Sequence, residues 1–151
     1  MTLSIGDAAP NFTLLTAEET SVTLSDLIGK KVILYFYPKD ATPGCTAEAC
    51  SFRDENPKFS QKGAIIIGIS RDSIKTHKKF KDKERLNFIL ASDETGKVCE
   101  KYGVWVEKSM YGRKYFGIER STFLIDEKGK ITKIWRKVSV PGHVQEVLQA
   151  I

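Results

Sequence analysis

Two strand-sized stretches of this chain are apolar on both faces, and they restrict its fold more than any other feature. They are residues 32–37 and 64–69. A strand with one face in water alternates apolar and polar residues, whereas a strand covered on both faces is apolar throughout. The segments that follow each stretch have the pattern of helices. We therefore expect an α/β protein whose central sheet is flanked by helices on both faces.

The other expected elements make this sheet mixed. A turn at residues 126–129, with Gly129 where a positive φ is needed, predicts a hairpin that adds an antiparallel edge. Pro57 predicts a kink or a late 3₁₀ turn in its helix, and residues 105–118 are expected to be irregular. Further strands are expected at 11–15, 22–24, 88–90, 121–125 and 131–137, with helical segments at 25–29, about 45–59, 73–83, 97–102 and 142–151.

Length and composition fit one globular domain, residues 1–151. With 151 residues and 41% hydrophobic residues, the chain is long enough to enclose a core. No apolar run approaches the roughly 20 residues that span a bilayer, and residues 1–7 lack the features of a signal peptide. We expect a cytoplasmic protein with no membrane partner.

The net charge of +5 comes largely from the basic segment 75–85. One interpretation is a nucleic-acid surface on which Phe80 stacks with bases. The other is a solvated helix face, since Asp82 and Glu84 are interleaved with the basic residues. Because no nucleic-acid motif accompanies the charges, we favour the second interpretation and expect no nucleic-acid partner.

The three cysteines are too few for a secreted disulfide scaffold. In a reducing compartment they would be buried thiols, metal ligands or reactive groups. His77 and His143, the only histidines, show no ligand spacing to any cysteine, so we expect no metal and no cofactor. For Cys99 we expect a buried or partly exposed thiol without a redox role.

Cys45 lies where a buried strand, a loop with two prolines and a helix follow one another. Thr42 is a good N-cap and Pro43 suits the first helical position, so Cys45 would be the third residue of the helix. Its sulfur would then lie near unpaired N–H groups at the positive end of the helix, which favours the nucleophilic thiolate. The alternative is a small buried hydrophobic residue.

Cys50 follows five residues later on the same helix. It would lie about 140° around the helix from Cys45 and about 7.5 Å along the axis. That spacing exceeds what a disulfide accepts, roughly 4.4–6.8 Å between Cα atoms, so a bond between them requires the helix to unwind. A transient disulfide fits better than a structural one, although two unrelated cysteines remain an alternative.

The segment Pro38-x-x-x-Thr42-x-x-Cys45, after an aromatic-rich buried strand, resembles the active-site motif of the peroxiredoxins. With Cys50 in addition, it resembles their bacterioferritin comigratory protein (peroxiredoxin Q) branch. The resemblance covers nearly the whole chain and includes residues 6–12, 68–70, 90–93, 102–105 and 119–126.

The resemblance implies a thioredoxin-like fold and an antioxidant thiol peroxidase that reduces hydrogen peroxide and organic hydroperoxides. Cys45 matches the peroxidatic cysteine and Cys50 the resolving cysteine. Thr42 matches the hydroxyl that contacts thiolate and peroxide. Pro38 matches the proline that shields the pocket, and Arg120 the arginine that completes the site. On residues alone, Arg120 would be interpreted as an exposed arginine beside Glu119.

A disulfide between Cys45 and Cys50 must be opened by an external dithiol, for which we expect thioredoxin. The sequence has no cysteine after Cys99, so the arrangement in which a partner's C-terminal cysteine resolves the reaction is not expected. We therefore expect a monomer, with a weak dimer as the alternative.

The cysteine pair is compatible with two other functions. A disulfide oxidoreductase acting on proteins is disfavoured, because the cysteine pair is CxxxxC rather than CxxC. The other is a redox-sensing or holdase-like module in which oxidation only exposes a binding surface. Turnover of many equivalents of peroxide by catalytic amounts of protein would exclude it.

Overall fold

A computed structural model describes residues 2–151 as one seven-stranded sheet, a separate two-stranded hairpin and four α-helices. The strands are β1 Thr13–Thr16, β2 Ser21–Thr23, β3 Lys31–Phe36, β4 Ala64–Ser70, β5 Ile89–Ser92, β6 Trp105–Met110, β7 Arg113–Ile118, β8 Ser121–Ile125 and β9 Ile131–Trp135. The helices are α1 Pro43–Gln61, α2 Ile74–Glu84, α3 Lys97–Lys101 and α4 His143–Gln149, and a 3₁₀ turn spans Leu24–Leu27.

The large sheet is mixed and has the order β2-β1-β5-β4-β3-β8-β9. Strands β3, β4 and β5 run parallel at its centre, and the strands at both edges pair antiparallel. All but the first residue of β3 are buried, as its apolar sequence predicted. The expected mixed sheet is confirmed.

Helices cover both faces of the sheet. On one face α1, α2 and α4 share a core that includes Phe52, Phe80 and Val147. On the other face Val98 and Cys99 of α3 pack with the residues of the 3₁₀ turn. In the part of the chain that the structure describes, no helix has the length and apolar character needed to cross a membrane.

The basic segment lies on α2 and at its end. Phe80 is 3% exposed and belongs to the core, so its ring is not available to stack with a base. Lys75 and Lys78 are exposed on the opposite side of the helix, and Lys81 forms an ion pair with Glu18. This arrangement supports the interpretation of the basic segment as a solvated helix face.

The prediction of an irregular segment at 105–118 is wrong, because β6 and β7 form a regular antiparallel hairpin. Its two-residue turn has positive φ at both positions, 52° at Tyr111 and 76° at Gly112. Such turns usually carry Asn-Gly or Asp-Gly, and a tyrosine in the left-handed region is uncommon. The sequence signal for this hairpin was therefore weak.

Helix α1 continues through Pro57 to Gln61 instead of changing to a 3₁₀ turn. Proline has no N–H, so Pro57 leaves the main-chain oxygen of Arg53 without its helical partner. The side-chain amide of Asn87 donates to this oxygen at 3.2 Å, and Asn56 donates to the main-chain oxygen of Asn87 at 2.9 Å. A neighbouring loop thus supplies the hydrogen bond that the helix lacks.

Replacing Asn87→Ala is expected to lower the free energy of unfolding by about 0.5–1.5 kcal/mol, because the Arg53 oxygen loses its donor. Urea unfolding monitored by circular dichroism measures the change. In a Pro57→Ala background the alanine N–H can serve the same oxygen, so the Asn87→Ala change should cost less there. An equal cost in both backgrounds would contradict this account.

Candidate active site

Cys45 lies in the first turn of α1, directly after the loop that follows β3. The helix has Thr42 at its N-cap position and Pro43 at its first position, which makes Cys45 the third helical residue, as expected. The side chain is only 2% exposed. The sulfur therefore lies at the positive end of the helix dipole.

Arg120, the residue directly before β8, contacts the sulfur of Cys45. Its Nη2 donates to Sγ of Cys45 at 3.4 Å. The contact follows from the sheet, because β8 pairs antiparallel with β3 and places Ser121 opposite Phe36, where the loop to Cys45 begins. Gly44 leaves room for the guanidinium. Any other residue would place a Cβ only 3.3 Å from Nη2 of Arg120, which is closer than an ordinary van der Waals contact. Arg120 is therefore not the exposed arginine that its sequence neighbours suggested.

Glu48 is a site residue that the sequence analysis missed. Its Oε1 accepts a hydrogen bond from Nη1 of Arg120 at 2.7 Å, and its side chain has no solvent exposure. Its Oε2 has no hydrogen-bond partner within residues 2–151. Burial raises the pKa of Glu48 to about 7, although the charge of Arg120 opposes the shift. The position three residues after Cys45, on the same helix face, was the available signal.

Thr42 does not cap the helix with its side chain, contrary to the N-cap interpretation. Its hydroxyl donates to the main-chain oxygen of Lys39 at 2.8 Å, and no side-chain cap hydrogen bond is formed. The backbone still begins the helix, because the N–H of Thr46 donates to the oxygen of Thr42 at 2.8 Å. With its proton engaged, the Thr42 hydroxyl oxygen is left as an acceptor.

Pro38 lies in the loop between β3 and α1 and is exposed. Its ring fixes the backbone φ at the point where the chain leaves the sheet. The structure thus places Pro38 in the same loop as Thr42, four residues before it.

Cys50 lies on α1, half-buried, and faces the end of α2. Its Sγ donates to Oε1 of Glu84 at 3.6 Å, and Arg53 donates to the main-chain oxygen of Glu84 at 2.7 Å. Burial raises the pKa of Cys50; Arg53 opposes the shift and Glu84 adds to it. Both Cys45 and Cys50 are free thiols in one continuous helix, so a bond between them requires part of α1 to unwind.

Cys99 is fully buried in the core on the α3 side of the sheet. Burial raises its pKa well above the usual value, and the neighbouring Asp93 adds to the shift. A thiol of this kind is rarely ionised and is unreactive. The environment supports the expectation that Cys99 has no redox role.

Lys108 is a second cation beside the site that the sequence analysis did not identify. It is half-buried on β6, and its Nζ donates to the main-chain oxygen of Ile118. Burial lowers its pKa, and the nearby charge of Arg120 lowers it further. The hairpin that was expected to be irregular therefore adds positive charge close to Arg120.

Asp40, Asp72 and His77 bring potential metal-ligating atoms within 4.8 Å of one another. These atoms are already engaged with the protein. Nδ1 of His77 lies 2.6 Å from Oδ2 of Asp40, and Oδ2 of Asp72 accepts from the N–H of Asp40 at 2.9 Å and from the hydroxyl of Ser70 at 2.6 Å. The cluster is a hydrogen-bond network that anchors the loop before Cys45.

These residues form a site suited to attack by sulfur on a small electrophile. A helix terminus and Arg120 provide the charge that a thiolate needs, and Arg120 can also stabilise an oxyanion. Thr42 offers an acceptor in the loop that leads to Cys45. Because Cys45 is almost fully buried, a small molecule can reach its sulfur more readily than another protein can.

Comparisons with known proteins agree with this chemistry. Residues 5–134 match the AhpC/TSA family. Peroxiredoxin Bcp of Bacillus subtilis is 51% identical over 151 residues, which cover 100% of this chain and 96% of the relative. The structure of PrxQ from Xylella fastidiosa superimposes with a TM-score of 0.94 at 42% sequence identity. The match covers 99% of this chain and 96% of the PrxQ chain.

A second solved structure comes from a study of alkyl peroxide reduction by the bacterioferritin comigratory protein of Xanthomonas campestris. Its TM-score is 0.91 at 42% identity, with 98% of this chain and 94% of that chain covered.

Replacing Glu48→Gln is expected to stabilise the protein at pH 8 and to change little at pH 4.5. The folded-state pKa of about 7 lies above the ordinary value of 4.5, so folding favours the protonated form. The stability contributed by Glu48 is therefore fully present below about pH 4.5 and is lost as the pH rises to about 7. Glutamine stays neutral and should raise the free energy of unfolding at pH 8 by about 1–3 kcal/mol.

Chemical denaturation of both proteins at the two pH values measures this difference. A variant that is no more stable than the parent at pH 8 would show that Arg120 compensates fully for the burial of the Glu48 carboxylate.

Proposed function

This chain belongs to the AhpC/TSA family of peroxiredoxins, in the Bcp (peroxiredoxin Q) branch, and we propose that Cys45 is the sulfur that peroxide oxidises. The chain is a thiol peroxidase with the thioredoxin-like peroxiredoxin fold that the sequence resemblance implied. The observation that supports Cys45 most directly is the 3.4 Å hydrogen bond from Arg120 to its sulfur.

In the proposed reaction, the thiolate of Cys45 attacks one oxygen of the O–O bond. The bond breaks, the sulfur becomes a sulfenic acid, and the other oxygen leaves as hydroxide or alkoxide. Hydrogen peroxide and organic hydroperoxides are the proposed substrates. The alkyl peroxide activity of the Xanthomonas campestris relative supports the second class.

Arg120 has two functions in this proposal. Its guanidinium stabilises the thiolate before the reaction and the departing oxygen as negative charge moves onto it. Glu48 keeps one edge of the guanidinium occupied, which leaves Nη2 directed at the sulfur.

Thr42 and Pro38 complete the proposed peroxide site. The Thr42 hydroxyl donates a hydrogen bond to the main-chain oxygen of Lys39 and can therefore accept a hydrogen bond from a peroxide O–H, which orients the O–O bond toward the sulfur. Pro38 stiffens the same loop and shields the pocket from water.

Cys50 is the proposed resolving cysteine. Once α1 unwinds, the Cys50 thiolate attacks the sulfenic sulfur, a disulfide forms and hydroxide leaves as water after taking up a proton. The contact with Glu84 and the raised pKa keep Cys50 protonated while the helix is folded. A low thiolate fraction makes a thiol a slow nucleophile, so Cys50 reacts after the helix opens.

The proposed reductant is thioredoxin or another dithiol, which opens the disulfide by thiol–disulfide exchange. A monomer is proposed because the resolving cysteine lies on the same helix as the peroxidatic one. Because the cycle needs a supply of reduced dithiol and the cytoplasm keeps thiols reduced, we propose the cytoplasm as the compartment of this protein. We take the 151 residues as one catalytic domain, since its one large sheet spans Thr13 to Trp135.

The burial of Cys45 argues against a disulfide oxidoreductase that acts on proteins. A sulfur that is 2% exposed admits a peroxide but not the disulfide of a folded partner. The chain should accordingly consume peroxide rapidly and reduce insulin disulfides slowly.

The cysteine assignments are tested by mass mapping after one equivalent of hydrogen peroxide. The parent protein should contain a Cys45–Cys50 disulfide, and Cys45→Ser should not react with peroxide. Cys50→Ser should complete one turnover and accumulate a sulfenic acid that a dimedone-type reagent traps. If Cys50→Ser cycles normally with thioredoxin, Cys50 is not the resolving cysteine. Cys99→Ser serves as the control and should retain full activity.

Replacing Arg120→Met is expected to lower the rate of peroxide reduction by about 10²–10³, the cost of removing one oxyanion-stabilising donor. Stopped-flow measurement of the first oxidation step isolates this effect. Arg113→Met, which removes an exposed arginine on β7, is the matched control and should have the parent rate. Parent-like oxidation of Arg120→Met would contradict the assignment.

A further inference from the structure

A fully buried histidine on α2 is bound to the loop that precedes Cys45. Nδ1 of His77 lies 2.6 Å from Oδ2 of Asp40, and neither side chain is exposed. Nε2 of the same ring lies 3.0 Å from the main-chain oxygen of Ala91 in β5. Both ring nitrogens face oxygen atoms of the protein, so the ring is held at both ends. The imidazole ring is thus fixed between β5 and the Asp40 carboxylate.

Asp40 is held from two further directions. Its Oδ1 accepts a hydrogen bond from the hydroxyl of Tyr37 at 2.5 Å, and its N–H donates to Asp72 at 2.9 Å. These contacts come from the end of β3 and from the loop after β4. One aspartate therefore ties the loop before α1 to the ends of the three parallel strands, through Tyr37, Asp72 and His77.

The backbone conformation of Ala41, the residue after Asp40, explains why the loop needs these hydrogen bonds to Asp40. Ala41 has a φ of 62°, in the left-handed region that residues with a Cβ adopt only at a cost in free energy. Such a conformation persists where the surrounding structure holds it. Thr42 follows immediately, so the strained turn determines where its hydroxyl lies relative to Cys45.

We propose that His77 is a positioning residue for peroxide reduction, which holds Asp40 and thereby places Thr42 for the peroxide. The inference rests on the proposed roles of Thr42 and Cys45 and adds a residue that is distant from both in sequence. His77 acts through Asp40 and not on the sulfur itself. A misplacement of about 1 Å in a reacting group can cost on the order of a hundredfold in rate.

Two substitutions of His77 separate its two hydrogen bonds. At position 77, the side-chain amide nitrogen of asparagine would lie near the position of the histidine Nδ1. The amide nitrogen of glutamine would lie near the position of Nε2. His77→Asn can therefore still donate to Asp40, whereas His77→Gln can donate only to Ala91. Both variants lose the aromatic ring, so an effect on core stability alone should be similar in the two.

The readouts are the stopped-flow rate of Cys45 oxidation by hydrogen peroxide and the rate of its alkylation by iodoacetamide. Alkylation depends on thiolate and access but not on alignment of an O–O bond. We expect His77→Gln to lower the peroxide rate by about ten- to a hundredfold and His77→Asn by less than about threefold. Alkylation should stay within about twofold of the parent in both.

Equal losses of peroxide rate in the two variants would overturn the proposal, as would parent rates in both or a parallel loss of alkylation. If neither variant folds, Tyr37→Phe tests the same anchor, because it removes only the hydroxyl that donates to Asp40. Its matched control is Tyr102→Phe, which removes a buried hydroxyl bonded to Pro10 on the other face of the sheet.

Tyr37→Phe should lower the peroxide rate by about three- to tenfold and Tyr102→Phe should not; equal rates in the two would overturn the proposal. The same stopped-flow measurement on the parent protein tests the proposed function separately. If Cys45 of the parent does not react with peroxide, the proposed function is refuted, whatever the variants do.

Discussion

The hydrogen bond from the Arg120 guanidinium to a buried sulfur is the interaction on which the site depends. A thiol that is 2% exposed pays a large desolvation penalty on ionisation unless a cation lies close to it. The antiparallel pairing of β3 with β8 brings that cation within 3.4 Å. Gly44 leaves space for it and Glu48 orients it, so the sheet register and the first helical turn together determine the surroundings of the Cys45 sulfur.

Features that depend on local pattern could be predicted from the sequence. The two apolar runs identified the central strands, and the loop with Pro38, Thr42 and Cys45 identified the start of α1 correctly. The helix register placed Cys45 in the first turn and indicated that Cys50 could not reach it in a folded helix. All of these conclusions depend on spacing within one element or between neighbouring elements, where chain geometry is regular.

Contacts between elements distant in sequence could not be predicted. From the residues alone Arg120 would be paired with Glu119; the family resemblance implied its place in the site, and the fold shows its contacts with Cys45 and Glu48 on α1. His77 resembled an isolated histidine because its partner Asp40 lies 37 residues away. The Thr42 hydroxyl is a local exception: it could cap the helix or bond elsewhere, and it donates to the main-chain oxygen of Lys39 without forming a cap hydrogen bond. Sequence spacing carries no information about such pairings.

Helix α1 carries both cysteines of the proposed cycle without interruption, so the two proposed steps should respond differently to temperature. In the proposed cycle, peroxide reduction uses the folded helix, whereas formation of the Cys45–Cys50 disulfide first requires at least one of its turns to unwind. Melting a packed helical turn has a large activation enthalpy. On cooling, the second step of the proposed cycle therefore slows more than the first, and the sulfenic acid lives longer in a cold cell than in a warm one.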